Sequence, residues 1–484
     1  MDLSSLPERL VPDDNVFRML ANCHALCAGD ANFHKLSNAR RTNSDMAHLF
    51  DERVKAFLET LRRNRVRGEP HRLRSVAELR QHFATSSVEE ALICAGALLQ
   101  ALSAHIVEKE GKRFRPFEHC TMRPTLEPES PEVLIVPRPC NRIDRRLGPF
   151  PRLCEEIGET IAKYHPELHI SPMSLGGRDL VRIQLPRGSE ERLRGRINSG
   201  HLTIGVSPLA RNAAITGRSL PGFPDTEPSR FLLDSTGNED QQARQLAAML
   251  ESCHERGVSI LVLPELRMPV RLLEELRSFL GSQTLDINKG LLLVVAGSWH
   301  QQDGAEWVNR CHVLGCRGET IWTHDKLIEY NILPKNLTPA LKKALQLNDY
   351  GGIECIRRGN RIEFCDSALG RLAVAICVGF FHDEVQPMLK AAGATWFFVP
   401  AMTPDADPLE RTARALVTSQ RATTVVANCA TIGGAKACSF IQFPMAGSEA
   451  QRIPNLEVAD GVFVLEFNEY LTFLLTLDSN PMVN

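Results

Sequence analysis

The chain has 484 residues, 43% of them hydrophobic and 24% charged, with a formal net charge of −2. That length is too great for one ordinary hydrophobic core, so two or three domains are expected. The composition is that of a globular protein and excludes a collagen, a disordered tail or an integral membrane protein.

The first residues, "MDLSSLPERL", carry Asp2 and Glu8 and no apolar core of export-signal type, so a cytoplasmic location is expected. In "SDMAHLFDERVKAFLETLRRNR", Ser44 serves as a candidate N-cap and the apolar residues recur at helical spacing, which predicts an amphipathic helix. It runs into "RRNRVRGEPHRLR" (62–74), with six arginines in thirteen residues. This run reads as a contact for phosphate or nucleic acid, or as cations that complement the negative end of a helix. The first half of the chain is only slightly basic and has few aromatics to stack on bases, which weighs against nucleic acid. "ALICAGALLQALSAHIV" (91–107) is interrupted by Gln100, Ser103 and His105 and falls short of the about 20 residues of a membrane span. It predicts a buried helix. A Pro-rich connector follows at 114–140, then "PRLCEEIGETIAKYH" as a helix and "LVRIQLPRG" as a strand. Residues 1–195 are therefore expected to form a helix-rich N-terminal domain. Its expected role is regulation, substrate gating or assembly, through a partner protein.

From about residue 201 the pattern becomes strand, loop, helix, strand. "HLTIGVSPLA", "VSILVLPEL" and "GLLLVVAGSW" read as strands, "DQQARQLAAMLESCHERG" as a helix, and "RCHVLGCRGETIWTHDKL" as a hairpin. "LGRLAVAIC", "ATWFFVPAM" and "TTVVANC" continue the series, with helices between them. Apolar strands alternating with helices predict an α/β fold whose sheets are covered by helices. The 14 cysteines include no matched CxxC pairs, which argues for free thiols and against structural zinc or any other metal.

Three polar residues stand at the C-terminal ends of these strands, where α/β folds place their chemistry. Glu265 follows "ILVLP", Lys326 closes "ETIWTHDK", and Cys377 closes "LAVAIC". A lysine cation favours the thiolate, the attacking form of cysteine. A carboxylate can take the thiol proton and later activate a water. Lys326, with a backbone N–H near Val378, can face the oxyanion formed when a carbonyl or nitrile is attacked. Phe380, Phe381 and His382 follow the nucleophile; they either line the site or serve as core filler and a surface histidine.

The trio and its surroundings resemble the nitrilase, or carbon–nitrogen hydrolase, superfamily over about residues 200–475. The resemblance is carried by "ILVLPEL", "LLLVVAGSW", "WVNRCHVLGCRGETIWTHDKL", "SALGRLAVAIC", "LKAAGATWFFVPAM", "TTVVANC" and "CSFIQFP", in that order. It implies a four-layer α-β-β-α sandwich over 200–480 and a Glu265–Lys326–Cys377 triad that acts through a thioester on Cys377. It further implies homodimers or larger homo-oligomers, a small-molecule substrate, and no cofactor. Family members usually follow the cysteine with an aromatic and an acidic residue, whereas Val378 and Gly379 stand here. That departure points away from nitriles and toward an amide, ureide or carbamoyl group. Many members carry a second glutamate, for which Glu329 is the nearest candidate; it equally reads as a solvated loop residue. Two alternatives stay open: a nitrilase-like binding or assembly module, and an effector linked to nucleic acid.

Overall fold

In the computed structural model the chain divides into two units, Met1–Pro139 with Arg152–Leu175, and Cys140–Pro151 with Gly176–Asn484. The structure describes residues 5–110, 120–122, 132–137, 168–282, 290–429, 439–444, 450–453, 463–467 and 475–476, apart from 30–31, 34, 37–42, 67–68, 84–86, 176, 200–201, 208, 210–214 and 236. The helix expected over 151–165 lies outside these residues.

The first unit is built on the helices Val16–Gly29, Ser44–Arg63 and Val88–Glu110. The expected helix at 44 forms, but its cap is Asn43 rather than Ser44. Asn43 keeps an extended backbone, so its side chain reaches the N–H groups of Asp45 and Met46. The apolar run over 91–107 lies within Val88–Glu110, where Leu92, Ala95, Leu98, Leu99 and Leu102 are fully buried. Among the described residues no helix is long and apolar enough to cross a membrane. Within the arginine run, Arg63 pairs with Glu78 at 3.2 Å and Arg72 with Asp14 at 3.4 Å. The stretch read as a connector holds two strands, Cys120–Met122 and Val133–Pro137. With Leu168–Pro172 they form a three-stranded antiparallel sheet.

The second unit carries two larger sheets. In the first, Leu202–Val206, Ile260–Val262 and Leu293–Asp303 run parallel, and Glu306–Gly315 and Thr320–Asp325 extend it as an antiparallel meander. In the second, Gly370–Val374, Trp396–Ala401 and Thr423–Asn428 run parallel, flanked by Arg361–Ser367 and Phe440–Pro444. Strand alternation assigns the faces. Leu261, Val294 and Ala296 cluster with Leu246 and Leu250 of helix Glu239–Glu255 and with Leu272, Leu276 and Leu280 of helix Val270–Ser282. Each of these leucines contributes about 1.5–3 kcal/mol by its removal from water. The opposite face of the same strands packs on Trp396–Ala401 and Thr423–Asn428 of the second sheet. Helix Asp407–Gln420 covers that sheet's far side through Leu409, Ala413, Leu416 and Val417. The result is four layers, helix, sheet, sheet, helix.

The second unit begins earlier than residue 195. Arg178–Gln184 pairs in parallel with Arg361–Ser367, and Arg182 bonds Asp366 at 2.7 Å. A short third sheet, absent from the sequence expectations, orders Asn331–Ile332, Gly352–Glu354, Ser229–Ser235 and Thr216–Ser219.

Candidate active site

Each expected residue leaves its strand at a strained or braced turn. Beyond Ile260–Val262 the chain turns at Glu265, and Leu266 adopts φ +54°. The Leu266 N–H donates to Ser298 Oγ at 3.3 Å and the Met268 N–H to the Ser298 carbonyl at 3.3 Å. Gly297, with φ +68°, lets this brace come close; a Cβ there would lie 2.1 Å from the Pro264 carbonyl oxygen. Gly297→Ala is accordingly expected to lower unfolding free energy by more than about 1 kcal/mol in chemical denaturation. An unchanged midpoint would refute the close approach.

Cys377 has φ +47° and ψ −114°, a conformation that costs a non-glycine residue on the order of 1–3 kcal/mol. It is over-determined by its neighbours. The Cys377 N–H donates to the Pro400 carbonyl at 2.9 Å, and the Phe380 N–H donates to the Cys377 carbonyl at 2.9 Å. At this strand-to-helix turn the thiol lies within the electrostatic influence of Glu265 and Lys326. Lys326 is held by its own N–H donating to the Asn309 carbonyl at 2.8 Å, while the Gly359 N–H donates to the Lys326 carbonyl at 2.8 Å.

The structure brings Glu265, Lys326 and Cys377 together, none more than 3% exposed. Lys326 Nζ lies 2.8 Å from Glu265 Oε1 and 2.6 Å from Glu354 Oε2. Glu354 is thus the second carboxylate at the lysine. Glu329 is not; it sits half-buried and bonds Arg358 in a two-pronged pair. Of the two readings open for Phe380, its full burial and a ring centroid 5.7 Å from that of Phe397 favour core packing. His382 is half-buried, accepting from the Glu384 N–H at 3.3 Å. The Val378 side chain is half-buried in the short helix that Cys377 opens.

Two further residues of the site are not among the expected site residues. Asn309 and His300 are cross-strand partners on Leu293–Asp303 and Glu306–Gly315, and both are buried. The Asn309 amide donates one N–H to Glu265 Oε1 at 3.1 Å and the other to Glu354 Oε1 at 2.9 Å. His300 Nε2 lies 2.8 Å from Glu354 Oε1. A legible signal existed for this pair. The "DGAE" turn at 303–306 sets the hairpin register, and that register puts His300 opposite Asn309. Glu354 had only one weak mark, a lone carboxylate in the apolar stretch "GGIECI".

The two carboxylates differ in what remains open on them. A carboxylate has about four lone-pair positions. Glu354 fills all of them, with His300 and Asn309 on Oε1, and Lys326 and the Tyr330 N–H (2.9 Å) on Oε2. Glu265 accepts from Lys326 and Asn309 on Oε1 and from the Met402 N–H at 3.1 Å on Oε2. The Cys377 thiol lies within reach of this carboxylate's charge.

The electrostatics follow from burial and these contacts. Burial pushes the Cys377 thiol far up and Glu265 adds to this, against Lys326 and the Met402 N–H. The resting group is therefore a thiol. Burial alone would neutralise Lys326, but Glu265, Glu354 and Cys377 outweigh it and hold the ammonium above the ordinary lysine range. Burial likewise opposes charge on Glu354; Lys326 and His300 outweigh it and hold the carboxyl far below its usual range. The Tyr330 phenol is pushed up, first by burial and then by Cys377. Its ring centroid lies 5.9 Å from Lys326 Nζ.

A buried thiol, an ammonium and two carboxylates at the edge of stacked parallel strands define a candidate nucleophilic site. No family model matches the chain, and no curated protein matches it. Among solved structures the chain is similar to Nit3 of Saccharomyces cerevisiae, a member of branch 10 of the nitrilase superfamily. The identity is 13% over 56% of this chain and 91% of that one, with a TM-score of 0.35. It is similar to an amidase from Nesterenkonia sp., at 17% identity over 56% of this chain and 92% of that one, TM-score 0.36. A glutamine-dependent NAD+ synthetase from Acinetobacter baumannii is similar at 13% identity over 58% of this chain and 48% of that one, TM-score 0.38.

Proposed function

We propose that the second unit is a cysteine-dependent carbon–nitrogen hydrolase of nitrilase type, acting on an amide, ureide or carbamoyl group. One observation carries this: Glu265, Lys326 and Cys377, delivered by three different strand ends, are buried together, with Lys326 2.8 Å from Glu265 and the Cys377 thiol within the field of both.

Glu265 takes the thiol proton as Cys377 Sγ attacks the carbonyl carbon. The negative charge that forms on oxygen is met by the Lys326 ammonium and the Val378 backbone N–H. Protonated Glu265 returns its proton to the leaving nitrogen, the C–N bond breaks, and a thioester remains on Cys377. Glu265 then deprotonates a water that attacks the thioester; the S–C bond breaks and Glu265 passes that proton to the departing sulfur, which restores the thiol and the carboxylate. Glu354, with every position filled, keeps its charge throughout and holds the ammonium in place. The raised thiol fits this scheme, because a proton acceptor is then needed at the moment of attack.

Brief treatment with limiting iodoacetamide, itself a small amide, at about pH 6.5 lies below the ordinary thiol range and tests the assignment. Labelling is quantified by mass at all 14 cysteines, with Glu265→Ala and Lys326→Ala alongside. Cys377 is expected to label first and to slow in both variants, which would justify a screen for ammonia release from amides and ureides. Labelling of Cys377 that is no faster than the others, and unchanged in the variants, would refute the triad and favour a binding module.

A further inference from the structure

The buried imidazole of His300 has no place in the steps above, yet it is among the closest neighbours of Glu354. The Leu233 N–H donates to His300 Nδ1 at 2.9 Å. A backbone N–H cannot donate to a protonated nitrogen, so the ring carries its proton on Nε2 and donates it to Glu354 Oε1 at 2.8 Å. Leu233 belongs to Ser229–Ser235, which pairs with Gly352–Glu354, so one side chain joins the hairpin of the first sheet to the strand that bears Glu354.

We infer that His300 is a positioning residue: its fixed tautomer orients Glu354 so that Oε2 is left for Lys326, and Lys326 is thereby aimed at the reacting centre. The groups facing Glu354 are few. Lys326 and His300 touch it, Tyr330 donates its N–H, and Glu265 stands across the Asn309 amide. Deleting the His300 donor leaves one lone pair of a buried carboxylate open. The charged form of Glu354 is then less favoured, and on protonation it releases its grip on Lys326.

The inference rests on the hydrolase proposal, and two substitutions in the full-length chain separate them. Asn at 300 supplies an oxygen near the Nδ1 position and no donor near Nε2; Gln supplies a donor near Nε2 and no acceptor near Nδ1. The readout is the rate of Cys377 labelling by iodoacetamide as a function of pH, with ammonia release alongside. His300→Asn is expected to slow Cys377 labelling about 10-fold or more, the scale on which an outer hydrogen bond supports a metal ligand. Its acid limb moves to higher pH, because Glu354 protonates more readily. His300→Gln recovers most of the rate and the wild-type limb. If His300→Asn keeps the wild-type rate and limb, or if His300→Gln falls as far as His300→Asn, the role is structural and the inference fails. Where His300→Asn does not fold, the limb of His300→Gln decides alone: wild-type position supports the role and a shifted one overturns it. Slow labelling of Cys377 in the wild type itself defeats the hydrolase proposal instead.

Discussion

Cys377→Ala removes turnover by at least about 10⁴-fold and leaves the melting transition in place. The nucleophile is the only group that forms a covalent bond in the proposed sequence, and the Glu265–Lys326–Glu354–Asn309 network does not depend on it. Those contacts run between side chains of the first sheet's strand ends and the Gly352–Glu354 strand. The strained turn is retained as well, since alanine has the same Cβ and the bonds to Pro400 and Phe380 are made by the backbone. Ammonia release together with a thermal melt checks both halves. Turnover at the wild-type rate in the alanine variant would refute the assignment, whereas lost turnover with a collapsed melt would mean that Cys377 serves folding.

Lys326→Met is expected to abolish activity and to cost about 3–5 kcal/mol of stability near neutral pH, the scale of breaking a buried ion pair from one side. Methionine fills similar volume, so the cost is electrostatic. Glu265 and Glu354 are left sharing the Asn309 amide, buried and without a cation. The pH dependence gives a sharper test, because its sign reverses. In the wild type the Glu354 carboxyl is held below its unfolded value near 4.5, so its contribution is present above that value and is lost as pH falls through the acid range. Lys326 is held above its unfolded value near 10.5, so its contribution is full below that pH and fades only well into the alkaline range. Wild-type stability therefore falls on acidification. In Lys326→Met the buried Glu354 carboxyl loses its cation and favours protonation when folded, so its folded value rises and stability is lost as pH rises through the carboxylate range. Denaturation midpoints at about pH 3 and pH 8 distinguish the two. A variant as stable as the wild type at pH 8, or one with the same slope, would show that the lysine does not neutralise the pair.

Much of the second unit was legible because its strands are continuous apolar runs, a pattern that few other structures share. "ILVLPEL", "LAVAIC" and "TTVVANC" each gave a strand, and their ends gave Glu265 and Cys377. The strand Arg178–Gln184 is legible in the sequence, but its grouping with the second unit is not. Its partner, Arg361–Ser367, lies far along the chain, and parallel pairing leaves no local mark. The third sheet is not legible for a related reason: one of its two inner strands is the three residues Gly352–Glu354, too short for alternation to register. With it went the second carboxylate, and Glu329 stood in only because it is near Lys326 in sequence.

The amino-acid order alone therefore gives the kind of layer each segment joins and which strand ends carry a thiol, an ammonium and a carboxylate. These depend on local hydrophobic period and residue chemistry, both readable over a few residues. Tertiary structure alone decided how the charges are shared. Glu354 meets Lys326 from a separate sheet, Asn309 joins two carboxylates whose strands are not neighbours in the chain, and His300 takes its tautomer from the Leu233 amide. Hydrogen bonds and ion pairs act over about 3 Å in space whatever the separation along the chain, so the roles of the buried groups are fixed only once the sheets have closed.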